Sequence, residues 1–274
     1  MRRKGIIRPA RGNLAKICVP HADEPVISHL IAVSAEVMYA HGHPAISRNL
    51  CRLSRGKGRD AWRCRVAQRQ RSRARFEVLL GPIDFDRHSA ANPVKLLDLG
   101  CGPGFLLDYL AENGLLSRVD YTGVDVIETT MQHARHRWPK HKFELRDVRD
   151  RPFDAEVFDY CIVCGVFTVR FQNGYTDMEK LVHEMLRAIW PSVRVGLGFN
   201  VMSKHVDWER EDLFHWPLND ILAFCKPNLS RHVSLRLDYG LWETSVFVRK
   251  APVARSTKLP PQWGAETAPR PAPS

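Results

Sequence analysis

Residues 94–104 read VKLLDLGCGPG, and the predicted fold class rests mainly on them. Its first six residues are mostly apolar, which is typical of a buried strand. Gly100, Gly102 and Gly104 follow, and glycine lets the backbone turn tightly and approach a ligand without a Cβ in the way. The apolar segment through Leu110 then predicts a helix, whose first turn offers free backbone amides. The stretch therefore predicts a ligand-binding turn between a strand and a helix.

Short apolar runs continue to alternate with helix-like segments along the chain, as in parallel α/β sheets. Strands are predicted at residues 94–99, 120–126, 142–145, 158–163 and 193–202. The last alternating segments, residues 232–239 and 241–249, predict an antiparallel hairpin. We therefore expect a mostly parallel seven-stranded sheet.

Helices are predicted between these strands. One helix is predicted at residues 127–137. A second helix begins with a capping box at Thr176 and Glu179 and ends before Pro191. A short helix is expected at residues 217–225, with Pro217 in its first turn.

The glycine spacing discriminates between nucleotide-binding turns. A dinucleotide fingerprint has a third glycine where this chain has Phe105, and the Gly-Lys-Ser/Thr of a phosphate-binding P-loop is absent. Asp98 precedes the turn, and its carboxylate would repel a pyrophosphate but suit an ammonium group. The pattern favours a nucleoside that carries positive charge.

Two further acids follow the next strands. Asp125 ends the second strand, where a carboxylate can bind ribose hydroxyls, and Asp147 ends the third, where it could accept from an adenine amino group. The carboxyl ends of neighbouring parallel strands meet at one crevice, so the three acids predict one pocket. Alternatives stay open: Asp98 or Asp125 could cap a helix, and Asp147 could be an ordinary acid of a charged loop.

The turn sequence, together with Gly-Val-Asp125 and Arg-Asp147, resembles the class I S-adenosylmethionine-dependent methyltransferases. The likeness covers about residues 90–250 and includes the trailing hairpin. The stretches at Cys164-Gly165 and at Gly-Phe-Asn200 also resemble, more loosely, small bacterial methyltransferases. The resemblance implies a Rossmann-like methyltransferase fold and S-adenosylmethionine as cofactor.

The resemblance also implies roles for individual residues. Asp125 would hold the ribose, Val126 would pack on the adenine, and Asp147 with the Val148 amide would bind the adenine edge. The residues implied on the methionine side are Gly100, Cys101 and Gly102 along the chain of the amino acid, Asp98 near its amino group, and Cys164 with Gly165 beside the sulfonium.

The methyl acceptor is expected above the ends of the fourth and fifth strands. Methyl transfer is an in-line displacement, so the protein must mainly align the reactants, and a base matters only for a protonated nucleophile. Asn200 could orient an acceptor, and His205 could serve as the base. Ordinary polar loop residues are the alternative for both. Further candidates there are Phe167, Thr168, Arg170 and Asp207.

The net charge of +11 is concentrated at one end of the chain. Residues 1–75 hold 17 Lys or Arg and only four acids, most densely at residues 48–75. This Arg-rich segment could bind RNA or DNA phosphates, but it lacks interleaved aromatic residues, so a solvated helix or arm is preferred. Weak non-specific nucleic-acid binding is expected from its charge.

Three functions therefore compete. We expect methyl transfer to an O or N atom of a small molecule. The alternatives are a nucleic-acid methyltransferase that docks through residues 48–75 and a cofactor-binding module without activity. The Asn-Pro-Pro-Tyr motif of amino-directed nucleic-acid methylation is absent.

We expect four regions: a basic arm at residues 1–25, a helical, Arg-rich extension or lid at 26–90, the cofactor-binding domain at 91–250, and a Pro-rich tail at 251–274. The seven scattered cysteines favour a reducing, cytoplasmic setting and predict no metal site. No apolar run reaches the roughly 20 residues of a membrane helix. The sequence leaves the oligomeric state open.

Overall fold

The computed structural model describes the backbone of residues 59–170 and 174–253 and, within those ranges, the side chains from residue 70 onward. Its strands are β1 Val94–Leu99, β2 Val119–Asp125, β3 Lys142–Leu145, β4 Phe158–Phe167, β5 Val193–Ser203, β6 His215–Trp216, β7 His232–Arg236 and β8 Glu243–Arg249. Its α-helices are α1 Arg59–Leu80, α2 Phe105–Glu112, α3 Glu128–Arg137, α4 Tyr175–Ile189 and α5 Leu218–Asn228.

The strands form one mixed sheet in the order β3-β2-β1-β4-β5-β8-β7, with the two-residue β6 beside the end of β5. Strands β1 to β5 pair in parallel, whereas β8 runs antiparallel to both β5 and β7. The strand order reverses beside β1, so the carboxyl ends of β1 and β4 flank a crevice of the kind in which open α/β sheets bind ligands. The predicted fold class, a mostly parallel sheet that ends in an antiparallel hairpin, is confirmed, and β6 adds an eighth strand to the seven expected.

The two faces of the sheet carry separate cores. One core packs α4 and α5 against the sheet, and the other packs α1, α2 and α3. Cys161 belongs to the first core and Cys164 to the second, because residues three apart on a strand point to opposite faces. Both thiols are buried and unbridged.

Helix α1 is part of the second core. Its sequence contains no proline or glycine before Gly81, whose amide bonds to the carbonyl oxygens of Glu77 and Val78 at the helix end. Its last turns pack through four buried residues, Phe76, Val78, Leu79 and Leu80. The predicted basic arm, residues 26–58 of the predicted extension or lid, and the tail beyond Val253 lie outside the described residues.

Several sequence predictions need correction. The N-cap of α4 is Gly174, so Thr176 lies inside the helix, and Glu179 accepts a bond from Trp216 Nε1 instead of closing a capping box. Pro217 is the N-cap of α5, and that helix continues to Asn228. Strand β4 runs four residues beyond its predicted end. Among the described helices, none is both long and apolar enough to cross a membrane.

Candidate functional site

A narrow cleft opens at the carboxyl ends of β1 and β2. Five of its lining residues are predicted cofactor contacts: Gly100, Asp125, Val126, Asp147 and Val148. Four more lining residues escape the sequence analysis: Leu99, Arg146, Val166 and Met185. The sequence therefore identifies one side of the cleft and misses the side that β4 and α4 supply.

Asp125 is the most constrained acid of the cleft. Its Oδ2 accepts from the Gly102 amide at 3.0 Å, and its Oδ1 accepts from the amides of Val126 at 2.8 Å and Ile127 at 3.1 Å. The carboxylate thus ties the glycine turn to the residues that precede α3, but it does not cap that helix, whose N-cap is Ile127 and has no side-chain cap bond. A carboxylate offers about four acceptor positions, so about one remains beside these three amides. Asp125 can therefore accept one ribose hydroxyl without giving up a backbone bond.

Asp98 lies beneath the glycine turn and does not line the cleft. It is 2% exposed, and its Oδ2 accepts from the Tyr121 hydroxyl at 2.7 Å. Burial raises the pKa of Asp98 to about 7, the Tyr121 bond opposes this rise, and the charge of Asp125 adds to it. An ammonium group near the turn would favour the ionised form of Asp98.

Asp147 lines the cleft but is already paired. Its Oδ1 accepts from the Arg149 backbone amide at 2.9 Å and from Arg149 Nε at 3.0 Å, and its Oδ2 contacts Nη2 of the same guanidinium. Burial alone would raise the pKa of Asp147, but the bonds from Arg149 lower it overall. An adenine amino group would have to share this carboxylate with Arg149.

The glycine turn passes close to the end of β4. Gly100 has a φ of +76°, and a Cβ there would lie 2.2 Å from Val166 Cγ2. Only glycine fits this position, because both the backbone conformation and the contact exclude a side chain. Cys101 is buried below the turn, where its Sγ lies 3.9 Å from Met131 Sδ.

Cys164 and Gly165 lie at an irregular point of β4, between the paired residues Val163 and Phe167. Burial raises the pKa of the Cys164 thiol to about 12, although Arg75 opposes the rise, so the thiol stays protonated at neutral pH. Gly165 has a φ of +78°. Its amide donates to Asn200 Oδ1 at 2.7 Å and its carbonyl accepts from Thr168 Oγ1 at 2.8 Å.

A second recess, which we call the β4–β5 cavity, opens beyond this segment. Its walls come from α1, from the ends of β4 and β5, from the segment between β5 and β6 with the start of β6, and from the loop before β8. The lining residues are Arg71, Arg75, Thr168, Val169, Met202, Val206, Asp207, Trp208, Arg210, Leu213, His215, Gly240, Leu241, Trp242 and Glu243. The cavity occupies the place where the sequence predicts the acceptor.

The predicted acceptor residues are distributed unevenly around this cavity. Thr168 and Asp207 line it, whereas Phe167 is fully buried in the core. Asn200 is 0% exposed, and its amide bonds to Gly165 and Glu243, so it lies behind the cavity wall. His205 is exposed, and its backbone amide donates to Ser203 Oγ.

His215 is the histidine that lines the cavity, and the sequence analysis does not single it out. Its Nδ1 lies 2.6 Å from the Ser203 carbonyl oxygen, which can only accept, so Nδ1 carries the proton. Its Nε2 is then an acceptor and lies 3.4 Å from the Arg210 amide. The two-residue strand β6 that places it has no clear sequence signal.

The residues of the cleft fit a cationic nucleoside. Asp125 and Asp147 offer carboxylates, Val126 and Val148 offer apolar surface, and the backbone at Gly100 allows close approach. Among the described residues, no cluster of His, Cys, Asp and Glu could hold a metal ion.

Comparisons with known proteins agree with this geometry. A family model described as a methyltransferase domain matches residues 96–192. A Mycobacterium tuberculosis protein named as a methyltransferase is 34% identical over 168 residues, which cover 60% of this chain and 97% of that protein. The malonyl-[acyl-carrier protein] O-methyltransferase of Salmonella typhimurium is 41% identical over 97 residues, which are 35% of each chain.

A solved structure shares the fold. Magnesium protoporphyrin IX methyltransferase from Synechocystis, with bound S-adenosylmethionine, superposes with a TM-score of 0.50 at 12% identity and covers 80% of this chain and 91% of that one. The chain belongs to the class I S-adenosylmethionine-dependent methyltransferases, and its cofactor is S-adenosylmethionine.

Proposed function

We propose that this methyltransferase modifies an O or N atom of a small-molecule acceptor bound in the β4–β5 cavity. The observation that carries the proposal is the arrangement of residues at the end of β4. Val166 lines the cofactor cleft, whereas Thr168, two residues later, lines the cavity. Because these two residues are neighbours along the strand end, the proposal places the methyl group and its acceptor on either side of this segment, beside Gly165.

The cavity walls support a small organic acceptor. Apolar side chains such as Val206, Leu213 and Trp242 alternate with polar ones, the mixture typical of ligand pockets. An O acceptor agrees with the name of the Salmonella relative, an O-methyltransferase, although that likeness spans 35% of each chain.

The cofactor supplies an electrophilic methyl group on a sulfonium, and the protein must align an acceptor with it. In the proposed arrangement, Asp125 and Asp147 hold the nucleoside, and Asp98 lies near the amino group. Gly165 lies beside the sulfonium. His215 Nε2 exchanges the bond that it accepts from the Arg210 amide for the proton of an acceptor hydroxyl or amine, while its Nδ1 stays bonded to the Ser203 carbonyl. We assign this task to His215 in preference to His205 because His215 lines the cavity.

Binding of the demethylated product tests the cofactor site. Calorimetry with S-adenosylhomocysteine should show binding to the wild type and binding weakened about tenfold by Asp125→Asn, because the amide presents only one acceptor oxygen to the turn and the ribose. Asp120→Asn is the matched control, since Asp120 is exposed on the same strand. Equal affinity of all three proteins for S-adenosylhomocysteine would show that Asp125 does not contribute to cofactor binding.

Obstruction of the cavity tests the acceptor site. Val206→Trp should abolish transfer of a radiolabelled methyl group to a panel of phenols, carboxylic acids and amines while leaving S-adenosylhomocysteine affinity unchanged. Leu237→Trp, at an exposed position away from the cavity, should leave both unchanged. Label that appears in RNA and in no small molecule would overturn the proposal. Cofactor binding without transfer to any acceptor would support a binding module instead.

The described end of the Arg-rich segment faces the domain. Arg75 pairs with buried Glu243, and Arg73 pairs with Glu112 on α2. These contacts favour the small-molecule proposal over docking of a nucleic acid, because the two guanidinium groups already have carboxylate partners.

A further inference from the structure

A buried guanidinium from α1 forms one wall of the β4–β5 cavity. Arg75 Nε lies 2.9 Å from both Glu243 Oε1 and Oε2, and its Nη2 also contacts Oε1. The two side chains are 13% and 3% exposed. Arg75 belongs to a helix that precedes β1, whereas Glu243 begins β8, so the pair joins opposite ends of the described chain.

The contacts continue from this pair to the cofactor side. Glu243 Oε2 accepts from Asn200 Nδ2 at 2.6 Å, and Asn200 Oδ1 accepts from the Gly165 amide at 2.7 Å. The Asn200 amide has one orientation here, because a carboxylate needs a donor and a backbone amide needs an acceptor. Four residues thus form a continuous buried network from the cavity wall to the end of β4.

We infer that Arg75 is a positioning residue, which holds the Gly165 amide in place through Glu243 and Asn200. The inference rests on the proposed function, in which Gly165 lies beside the sulfonium. Gly165 has a positive φ at an irregular point of β4, so strand pairing alone does not fix its direction. Asn200 and Thr168 supply the bonds that do.

Loss of the guanidinium would act along this network. Glu243 would become a buried carboxylate without its cationic partner, which is strongly unfavourable, and water or a proton would have to replace Arg75. Either change disturbs the bond that Glu243 accepts from Asn200. The alternative role for Arg75 is simpler: it anchors α1 to the sheet and affects only stability.

Selective isotope labelling of the full-length chain separates these two roles. The sequence contains two Cys-Gly pairs, Cys101-Gly102 and Cys164-Gly165. Carbonyl-13C cysteine with 15N glycine therefore gives two amide signals in a carbonyl-filtered NMR spectrum. The Gly102 amide, bonded to Asp125, is an internal reference for the Gly165 amide, bonded to Asn200.

In Arg75→Gln, we expect the Gly165 amide to exchange with solvent about tenfold faster while Gly102 is unchanged, and S-adenosylhomocysteine to bind about tenfold more weakly. Arg73→Gln is the control, because Arg73 lies on the same helix in an exposed pair. It should change neither measurement. If Arg75→Gln fails to fold, Arg75→Lys provides the comparison. Lysine keeps the positive charge but lacks the planar guanidinium that can bind both oxygens of the Glu243 carboxylate.

A double variant provides the rescue. In Arg75→Gln/Glu243→Gln, the new amide oxygen at position 243 can still accept from Asn200 Nδ2, and no buried charge is left alone. Exchange at Gly165 and affinity should return to within about threefold of the wild type. A lower melting temperature of Arg75→Gln with wild-type exchange and affinity would overturn the inference. If the wild type binds no S-adenosylhomocysteine, the proposed function fails, and the Gly165 exchange rates alone decide whether the network exists.

Discussion

At the scale of single residues, Asp98 shows how a buried acid can be prepared for a cationic ligand. The carboxyl group has the Tyr121 hydroxyl as a partner, and its burial makes the neutral form competitive near pH 7. A ligand that brings an ammonium group would shift this balance towards the carboxylate. The same acid should therefore reveal itself in the pH dependence of stability.

Asp98 has a pKa of about 7 in the folded chain and an ordinary value of 3.8. Its contribution to stability is thus fully present below pH 3.8 and is lost as pH rises to about 7. Over this range the free energy of unfolding of the wild type should fall by up to about 4 kcal/mol more than that of Asp98→Asn. Urea denaturation of both proteins from pH 4 to pH 8 measures the difference. Parallel pH profiles would contradict the raised pKa.

Gly100 gives a second prediction at this scale. Gly100→Ala should destabilise the chain by about 3 kcal/mol and abolish S-adenosylhomocysteine binding, because strain at positive φ adds to the clash with Val166. Gly114→Ala separates the two causes, since Gly114 has a φ of +68° but nothing within 4 Å of the added Cβ. That control should cost only about 1 kcal/mol. An equal loss of stability in Gly100→Ala and Gly114→Ala would mean that Val166 moves away from the added Cβ at little cost.

Among elements, α1 combines an arginine-rich sequence with a buried end. The sequence predicts a helical, Arg-rich extension or lid for this part of the chain, and the described helix lies within it. In the structure, the last turns of α1 share a core with β1 and α2. Charge density alone therefore does not distinguish a solvated helix from one whose far end is buried.

Leu79 tests whether α1 is structurally integral. It is 1% exposed, so Leu79→Ala should destabilise the chain by about 3 kcal/mol through lost burial and the cavity left behind. Glu77→Ala, on the exposed side of the same turn, should change stability by less than about 0.5 kcal/mol. Chemical denaturation compares the two. A Leu79→Ala variant as stable as Glu77→Ala would show that α1 docks only loosely.

Sequence reasoning succeeds where neighbouring residues define an element and fails where residues distant in the chain do. Strands β1 and β3 match their predicted bounds because apolar runs and turn residues define them locally. The predicted capping box of α4 does not form, and Glu179 instead accepts from Trp216, which is 37 positions away. Asn200 lies within β5, in the predicted strand, but its bonds to Gly165 and Glu243 depend on the assembled sheet. The sequence thus indicates the cleft acids and misses the partners that already occupy them.

For the whole molecule, the uneven distribution of charge predicts weak binding to polyanions. The full-length chain should be retained on immobilised poly(U) at low salt and released as salt rises. Glutamine at Arg48, Arg52, Arg55 and Lys57 should reduce the log–log salt slope by up to about 3, whereas Arg75→Gln should not change it, because that guanidinium is buried. Retention that survives 0.3 M salt would instead favour a dedicated nucleic-acid site.

The walls of the β4–β5 cavity come almost entirely from outside the part of the chain that the family model matches. Only Thr168 and Val169 lie within residues 96–192, whereas α1, the end of β5 and the chain beyond β5 supply the others. If the cavity binds the acceptor as proposed, methyl-donor chemistry and acceptor choice are encoded in separate stretches of the gene. Mutation and recombination in the flanking stretches can change what is methylated while the donor machinery is inherited intact. Two proteins that share the matched stretch can accordingly serve different metabolic ends.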